Sequence, residues 1–339
     1  MNDDLSPFLK RLSHGEKLSA AETADAFSVI MGGKANEIQI AAYLTALAMR
    51  GPTVDEVTGA AKAMRGAMKR VKAPAGAIDL VGTGGDGHGT LNISSAAAFV
   101  AAACGVSVAK HGNRNMTSKS GAADVLEALG VKIALSPAAA EICLKEAGIT
   151  FLFAQSFHPA MKYVAGVRRT LGFRTIFNLL GPLSNPAGVK RQVLGVYARE
   201  WLVPVAETLR ALGAKKAWVV WGSDGMDEIT VTGPTEVAVL ENGVVHTLTI
   251  TPEKAGLGCS PLAALKGGTA KENAAAMRRI FDGEKNPYRD VVLMNAAGAL
   301  IVAGKTTDLR QGAAMAANAI DCGAAKRVLE NLIEVSNRK

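Results

Sequence analysis

Asp227 and Glu228 stand side by side in WGSDGMDEIT, together with Asp224 and directly beyond the apolar run AWVVWG. A glycine-containing loop can turn such carboxylates to one side, and their oxygens suit Mg2+, which keeps waters and bridges to diphosphate. Taken alone, the cluster fits an exposed acidic turn better. Groups suited to an anion lie earlier. VGTGGDGHGT, residues 81–90, holds five glycines in ten positions, a concentration of backbone freedom that lets main chain approach a ligand closely. It offers Gly82, Gly85, Asp86 and Thr90, and Asn92, Ile93, Ser94 and Ser95 follow. AKHGNRNMTSKSGAADVLEALG, residues 109–130, adds Lys110, His111, Arg114 and Lys119 beside Asn113, Thr117, Ser118 and Ser120. The first loop matches neither G-x-x-x-x-G-K-[ST] nor a clean G-x-G-x-x-G. No His/Cys set proposes zinc and no G-x-S-x-G proposes a serine hydrolase.

Both loops run from a strand to a helix. IDLVG precedes the first and ISSAAAFVAAACG follows it, while VSVA precedes the second. Unpaired N–H groups and the positive end of a helix dipole favour anions at such a junction, and in a parallel sheet both loops open at the carboxyl edge. The first seventy residues read as four short helices without strand alternation. Ser6-Pro7 reads as a cap with a first-turn proline, SAAE (Ser19 to Glu22) and TVDE (Thr53 to Glu56) have capping-box spacing, and Gly15, Gly32, Gly33 and Gly51 sit at stops. Beyond KAPAG (Lys72 to Gly76), the β-branched runs IDLVG, VSVAK, VKIAL, ITFLFA, VLGVYA and AWVVWG alternate with alanine-rich helices. The expected fold is therefore α/β: a small all-helical N-terminal domain, 1–70, and a large α/β domain, 71–339, with a central mostly parallel sheet covered by helices. A polar, turn-rich stretch at about 159–188 is expected to pack back on the helical domain.

Bulk properties narrow the partner. The chain of 339 residues is 49% hydrophobic and carries a net charge of +8, which favours an anionic ligand. Aromatics make up 5% and no Lys/Arg block occurs, so a small polyanion fits better than nucleic acid. Cys104, Cys143, Cys259 and Cys322 lack C-x-x-C spacing and read as buried small hydrophobes in a reducing compartment. MNDDLSPFLK begins with acids where a signal peptide is basic, and no apolar run approaches the ~18 residues of a membrane span. A cytoplasmic protein is expected.

GTGGD, KHGNR, SGAADVLEALG, FHPAMKYVAGVRRTLGFRTIFNLLGPLSNPA, DGMDEIT and MNAAGALIVAG together resemble the signature segments of the anthranilate phosphoribosyltransferases. The resemblance covers nearly the whole chain, and it implies a fold shared with pyrimidine nucleoside phosphorylases and a homodimer formed through the helical domain. By matched position, Gly82, Gly85, Asp86, Thr90, Asn92, Ile93, Ser94 and Ser95 would hold 5-phosphoribosyl 1-diphosphate. The stretch Lys110, His111, Gly112, Asn113, Arg114, Asn115, Met116, Thr117 and Ser118, with Ala122, would cover its sugar and phosphates. Ser94, Asp227 and Glu228 would hold Mg2+, two ions per subunit. Anthranilate would lie beside Gly82 and Asn113, with Arg168 pairing its carboxylate and His111 and Pro182 lining its route; the residues alone do not choose among Arg168, Arg169 and Arg174. The chain departs from the family's pattern at Ala122, commonly serine, and at Asn115-Met116. An aryl amine keeps its lone pair at neutral pH, so the implied reaction needs no acid/base pair, only alignment of the reactants and neutralisation of the leaving group. Two alternatives stand beside it: a phosphorylase of the same fold, and a non-catalytic, nucleic-acid-binding relative.

Overall fold

The computed structural model describes residues 4–114 and 120–338. Four helices come first: α1 (Ser6–Ser13), α2 (Ala20–Met31), α3 (Glu37–Arg50) and α4 (Val54–Gly66). Their starts follow from local chemistry. Ser19 and Thr53 each accept from the N–H three residues on, while Glu22 and Glu56 reach back, so both expected capping boxes form, and Asn36 with Gln39 makes a third at α3. Ser6 is not a cap. It lies inside α1, and Asp4 Oδ1 accepts its N–H at 3.0 Å, because an acceptor ahead of the helix reaches the first N–H groups better than one within it.

The strands and remaining helices then alternate: β1 (Ile78–Gly82), α5 (Ile93–Ala103), β2 (Val108–Gly112), α6 (Ala122–Leu129), α7 (Pro137–Ala147), β3 (Ile149–Phe153), α8 (Ala154–Phe157), α9 (Lys162–Leu171), α10 (Phe177–Leu180), β4 (Arg191–Gly195), α11 (Leu202–Ala211), β5 (Lys216–Gly222), β6 (Thr235–Glu241), β7 (Val244–Ile250), α12 (Ala270–Phe281), α13 (Pro287–Ala303), α14 (Leu309–Asp321) and α15 (Ala324–Asn337). The strands form one sheet in the order β3-β2-β1-β4-β5-β6-β7. Pairs from β3 to β5 are parallel, and β6 and β7 are antiparallel additions. VKIAL is not a strand. Val131, Ile133 and Leu135 are buried alternately, but against neighbouring side chains and without a ladder.

Alternation along the central strands divides the core. Val193, Trp218 and Val220 face one layer, with α5 and α13, whereas Leu194, Ala217 and Val219 face a second layer. That second layer is continuous with the helical segment: Phe27, Ile30, Tyr43, Leu44 and Val57 share it with Val164 and Val167 of α9 and Leu180 of α10. Thus α9 packs on α3 and α10 on α4. Close approach of α2 and α4 depends on Gly59, where an added Cβ would meet the Ala20 carbonyl at 2.2 Å. The four cysteines are free thiols; Cys143 is buried and Cys104 half-buried, but Cys259 and Cys322 are exposed, so the expectation of uniform burial fails for those on the last loops.

Candidate functional site

The strand order reverses between β1 and β4: the chain leaves β1 toward β2 and β3, then returns to the other side of β1. Ligands of open α/β sheets bind in the crevice at this point, outside the carboxyl ends. Gly82 and Gly195 are paired there. Both must be glycine because Asp227 lies across them: a Cβ on Gly82 would stand 2.3 Å from Asp227 Oδ2, and one on Gly195 would stand 1.6 Å from the Asp227 carbonyl oxygen. Gly82 therefore makes room first for a carboxylate of the protein itself. The loop beyond it bends through Gly84, Gly85, Gly87 and Gly89, all at positive φ, where an added Cβ would meet nothing closer than 3.9 Å. Here the backbone angle, which only glycine adopts without strain, and not lack of space sets the residue type.

The two acidic residues reach the glycine loop and the start of α5, respectively. Gly84 N–H donates to Asp227 Oδ2 at 2.6 Å, and Ser94 N–H donates to Glu228 Oε1 at 3.0 Å. Lys110 comes from β2 beneath them, its Nζ donating to the Leu80 carbonyl at 2.6 Å and to Ser94 Oγ at 3.3 Å. Burial pushes both carboxyl groups up, Asp227 further through Asp86 and Glu228 further through Asp227. Burial pushes the Lys110 ammonium down, against the attraction of Asp79, Glu228 and Asp227. Asp224 is occupied elsewhere. Its Oδ2 accepts from Thr230 Oγ1 and Thr232 Oγ1 at 2.7 and 2.6 Å, which makes it the anchor of the turn.

His111 sits on a second wall. Its Nδ1 is 3.1 Å from the Gly181 carbonyl beside Pro182, and its Nε2 is 3.2 Å from His158 Nε2. Burial pushes His111 to about 3, helped by the neighbouring His158 and opposed by the Gly181 carbonyl, and pushes His158 to about 4. Asp79 fixes the strand beneath, accepting His111 N–H at 3.0 Å and Asn185 Nδ2 at 2.7 Å. The three arginines that sequence left unresolved are distinct here. Arg169 is exposed, and Arg168 is half-buried over the Phe177 ring at 5.2 Å, its guanidinium pushed down by burial. Arg174 crosses to the glycine loop, donating to the Gly85 carbonyl at 2.5 Å and lying over Tyr197 at 4.4 Å.

Some expected contributors point elsewhere. Arg114 is paired with Asp124 and Glu127 of α6, each at 2.6 Å, so its charge is engaged on that helix. The Ile93 side chain lies in the core and its N–H donates to the Leu91 carbonyl at 2.9 Å. Asp86, by contrast, stays at the site: its Oδ1 accepts from His88 N–H at 3.1 Å and its carboxyl group crowds Asp227. Thr90 forms an antiparallel bridge with Lys266, Ser95 is buried in α5, and Gly112 passes close to Ala122 at the start of α6. Asn113 follows β2, its carbonyl accepting Ala123 N–H at 3.3 Å. Asn115, Met116, Thr117 and Ser118 lie outside the described residues. Sequence reasoning missed His158, and it held Arg174 only as an alternative to Arg168, not as a contact of the glycine loop. His158 was visible in FHPAM, but nothing in the string shows that its ring meets His111.

Oxygen ligands at the crevice are the buried Asp227 carboxylate, the half-buried Glu228 carboxylate and the Ser94 hydroxyl. Among the described residues no three or more His, Cys, Asp and Glu side chains converge as a protein-only metal cage. This hard, incomplete donor set fits Mg2+, which retains waters and takes further oxygens from a ligand.

The profile of a family described as "Glycosyl transferase family, helical bundle domain" matches residues 6–68, and that of "Glycosyl transferase family, a/b domain" matches residues 75–326. The chain is 56% identical over 336 residues to the anthranilate phosphoribosyltransferase of Methylocella silvestris, covering 99% of this chain and 96% of that protein. It is 55% identical over 335 residues to that of Bradyrhizobium sp. BTAi1, with 99% of both covered. Among solved structures, the Thermus thermophilus anthranilate phosphoribosyltransferase superposes with a TM-score of 0.93 at 44% identity, covering 97% of this chain and 99% of that one. The Saccharomyces cerevisiae enzyme in complex with PRPP and Mg gives a TM-score of 0.90 at 30% identity, over 98% and 97% of the two chains.

Proposed function

The chain belongs to the anthranilate phosphoribosyltransferases; it moves the phosphoribosyl group of 5-phosphoribosyl 1-diphosphate to the anthranilate amine, and we propose that the β1/β4 crevice is where it does so. The observation that carries this assignment is the meeting of the glycine loop, the α5 start and Lys110 with the Asp227 and Glu228 carboxylates at the point where strand order reverses. Neither a phosphorylase nor a nucleic-acid-binding relative accounts so well for the Asp227 and Glu228 carboxylates together with a half-buried Arg168.

The glycine loop and the first turn of α5 bind the diphosphate through backbone N–H groups. Mg2+ is used, and Ser94, Asp227 and Glu228 hold it, with two ions per subunit as the expected loading; when bound it supplies positive charge against the leaving diphosphate. Arg168 takes the anthranilate carboxylate, since a planar guanidinium over Phe177 is fixed in orientation and incompletely solvated. His111 and Pro182 line the approach. Because His111 and His158 are held neutral by burial, this wall neither protonates the amine nor competes with Arg168 for the carboxylate. Alignment then brings the amine lone pair to the anomeric carbon.

The domain division near residue 70, a cytoplasmic location and a homodimer belong to the same proposal. For the homodimer, Ile38, Ala42, Thr45 and Met49 recur at helical spacing on α3, with Ile38 83% and Met49 86% exposed, a stripe suited to a second copy. Loss of anthranilate fluorescence in the presence of 5-phosphoribosyl 1-diphosphate and Mg2+ tests the reading, and consumption that also proceeds without the diphosphate donor would refute it.

A further inference from the structure

Asn92 occupies the N-cap position of α5, yet its side chain makes no cap hydrogen bond. Asparagine is among the strongest N-capping residues because its Oδ1 readily accepts an N–H of the first turn; here Glu228 already takes the Ser94 N–H, and a second side chain engages the Asn92 oxygen. Asn273, on α12 and 1% exposed, does so. Gly268 N–H donates to Asn273 Oδ1 at 2.8 Å. A backbone N–H can only donate, so the atom facing it is the amide oxygen and the other end of Asn273 is its NH2. That NH2 donates to Asn92 Oδ1 and to Ser120 Oγ, each at 2.9 Å. Orientation thus passes from one backbone N–H through two amides: Asn92 must turn its oxygen toward α12 and its own NH2 away. Tyr288 Oη, donating to the Asn92 carbonyl at 3.2 Å, holds the main chain of the same residue.

We propose that Asn273 is a positioning residue for the donor site, keeping Asn92 from capping α5 itself and presenting the Asn92 NH2 to the phosphoribosyl diphosphate. The proposal rests on the assignment of the crevice to that donor. It gives one residue a hold on both phosphate loops, through Asn92 on the first and Ser120 at the end of the second. Sequence gives no hint of it, since Asn273 lies in KENAAAM, 181 residues from Asn92.

Calorimetric titration of the folded protein with 5-phosphoribosyl 1-diphosphate and Mg2+ tests this. Asn273→Asp keeps an acceptor for Gly268 N–H but loses the NH2, which lets Asn92 turn over. Donor Kd should rise roughly tenfold or more, the loss of one hydrogen bond to a charged group. Asn92→Leu should weaken binding similarly, and adding Asn273→Asp to Asn92→Leu should bring little further loss. Additive effects would overturn the relay, because a direct effect of the new carboxylate persists without Asn92. An Asn92→Leu variant with unchanged donor affinity would instead remove the crevice assignment at Asn92. Should Asn273→Asp not fold, Asn92→Asp serves: it still accepts from Asn273 but has no N–H for the donor, and unchanged affinity in that variant also overturns the proposal.

Discussion

At the scale of single residues, buried charge separates structural from functional roles. Asp224 and Asp227 stand in one loop, but Asp224 accepts from Thr230 and Thr232, whereas Asp227 is crowded by Asp86 and Glu228. Asp227→Asn with Glu228→Gln keeps oxygens for Gly84 and Ser94 N–H while removing the like-charge repulsion. The apo melting temperature should hold or rise and kcat should collapse, with excess Mg2+ restoring only part; a destabilised but active double variant would refute the metal assignment. Arg168→Ala removes one charge-assisted pair, about 1.5 to 3 kcal/mol, and should raise the anthranilate KM while the donor KM stays near normal. The histidine pair gives a pH signature. His158 binds its proton at about 4 when folded and near the usual 6.5 when unfolded, so its contribution is complete above that range and is lost as pH falls through it. The stability margin of the wild type over His158→Asn should shrink by about 1 kcal/mol between about pH 7 and 5.5; denaturant titration at both pH values measures it, and a constant margin would contradict the buried neutral pair.

Elements show what could be read in advance and what could not. The capping boxes at Ser19 and Thr53 were legible because they are local chemistry over four residues, and the strand–glycine loop–helix around Gly82 was legible for the same reason. VKIAL misled because alternation reports only that one face is buried, and Val131, Ile133 and Leu135 bury that face while Lys132 and Ala134 stay exposed, with no strand beside them to pair. The β6–β7 hairpin was missed although its signal is present: Asn242 at φ 53 and Gly243 at φ 77 form the turn between alternating runs, the dipeptide such a turn prefers. Asn273, His158 and the contact of Arg174 with Gly85 were beyond reach, since each depends on a partner distant in sequence. Helix packing offers a further test. Gly59→Ala gains about 1 kcal/mol of helix propensity, but its methyl would lie 2.2 Å from the Ala20 carbonyl, a backbone atom that cannot rotate aside. The clash should win, lowering stability by roughly 1 to 3 kcal/mol; a higher melting temperature would show that α2 and α4 can separate at no cost.

For the molecule as a whole, α3 exposes an apolar stripe on its outer side while its inner side joins the layer beneath the sheet. Replacing Ile38 and Met49 together with aspartate should convert the proposed dimer into monomers in sedimentation velocity without altering the far-ultraviolet circular dichroism, and an unchanged sedimentation coefficient would refute a dimer formed through this stripe. The inner side has a different consequence. Leu194 and Val219 belong at once to the sheet and to the layer that holds Phe27, Tyr43 and Val164; α11 lies on β5 while α4 packs on α11 and α10, so removing the helical segment uncovers the far side of the helices that seal the sheet. Heat should therefore melt the chain in a single cooperative transition, with calorimetric and van't Hoff enthalpies in agreement, and a cut near residue 70 should leave neither fragment able to refold alone.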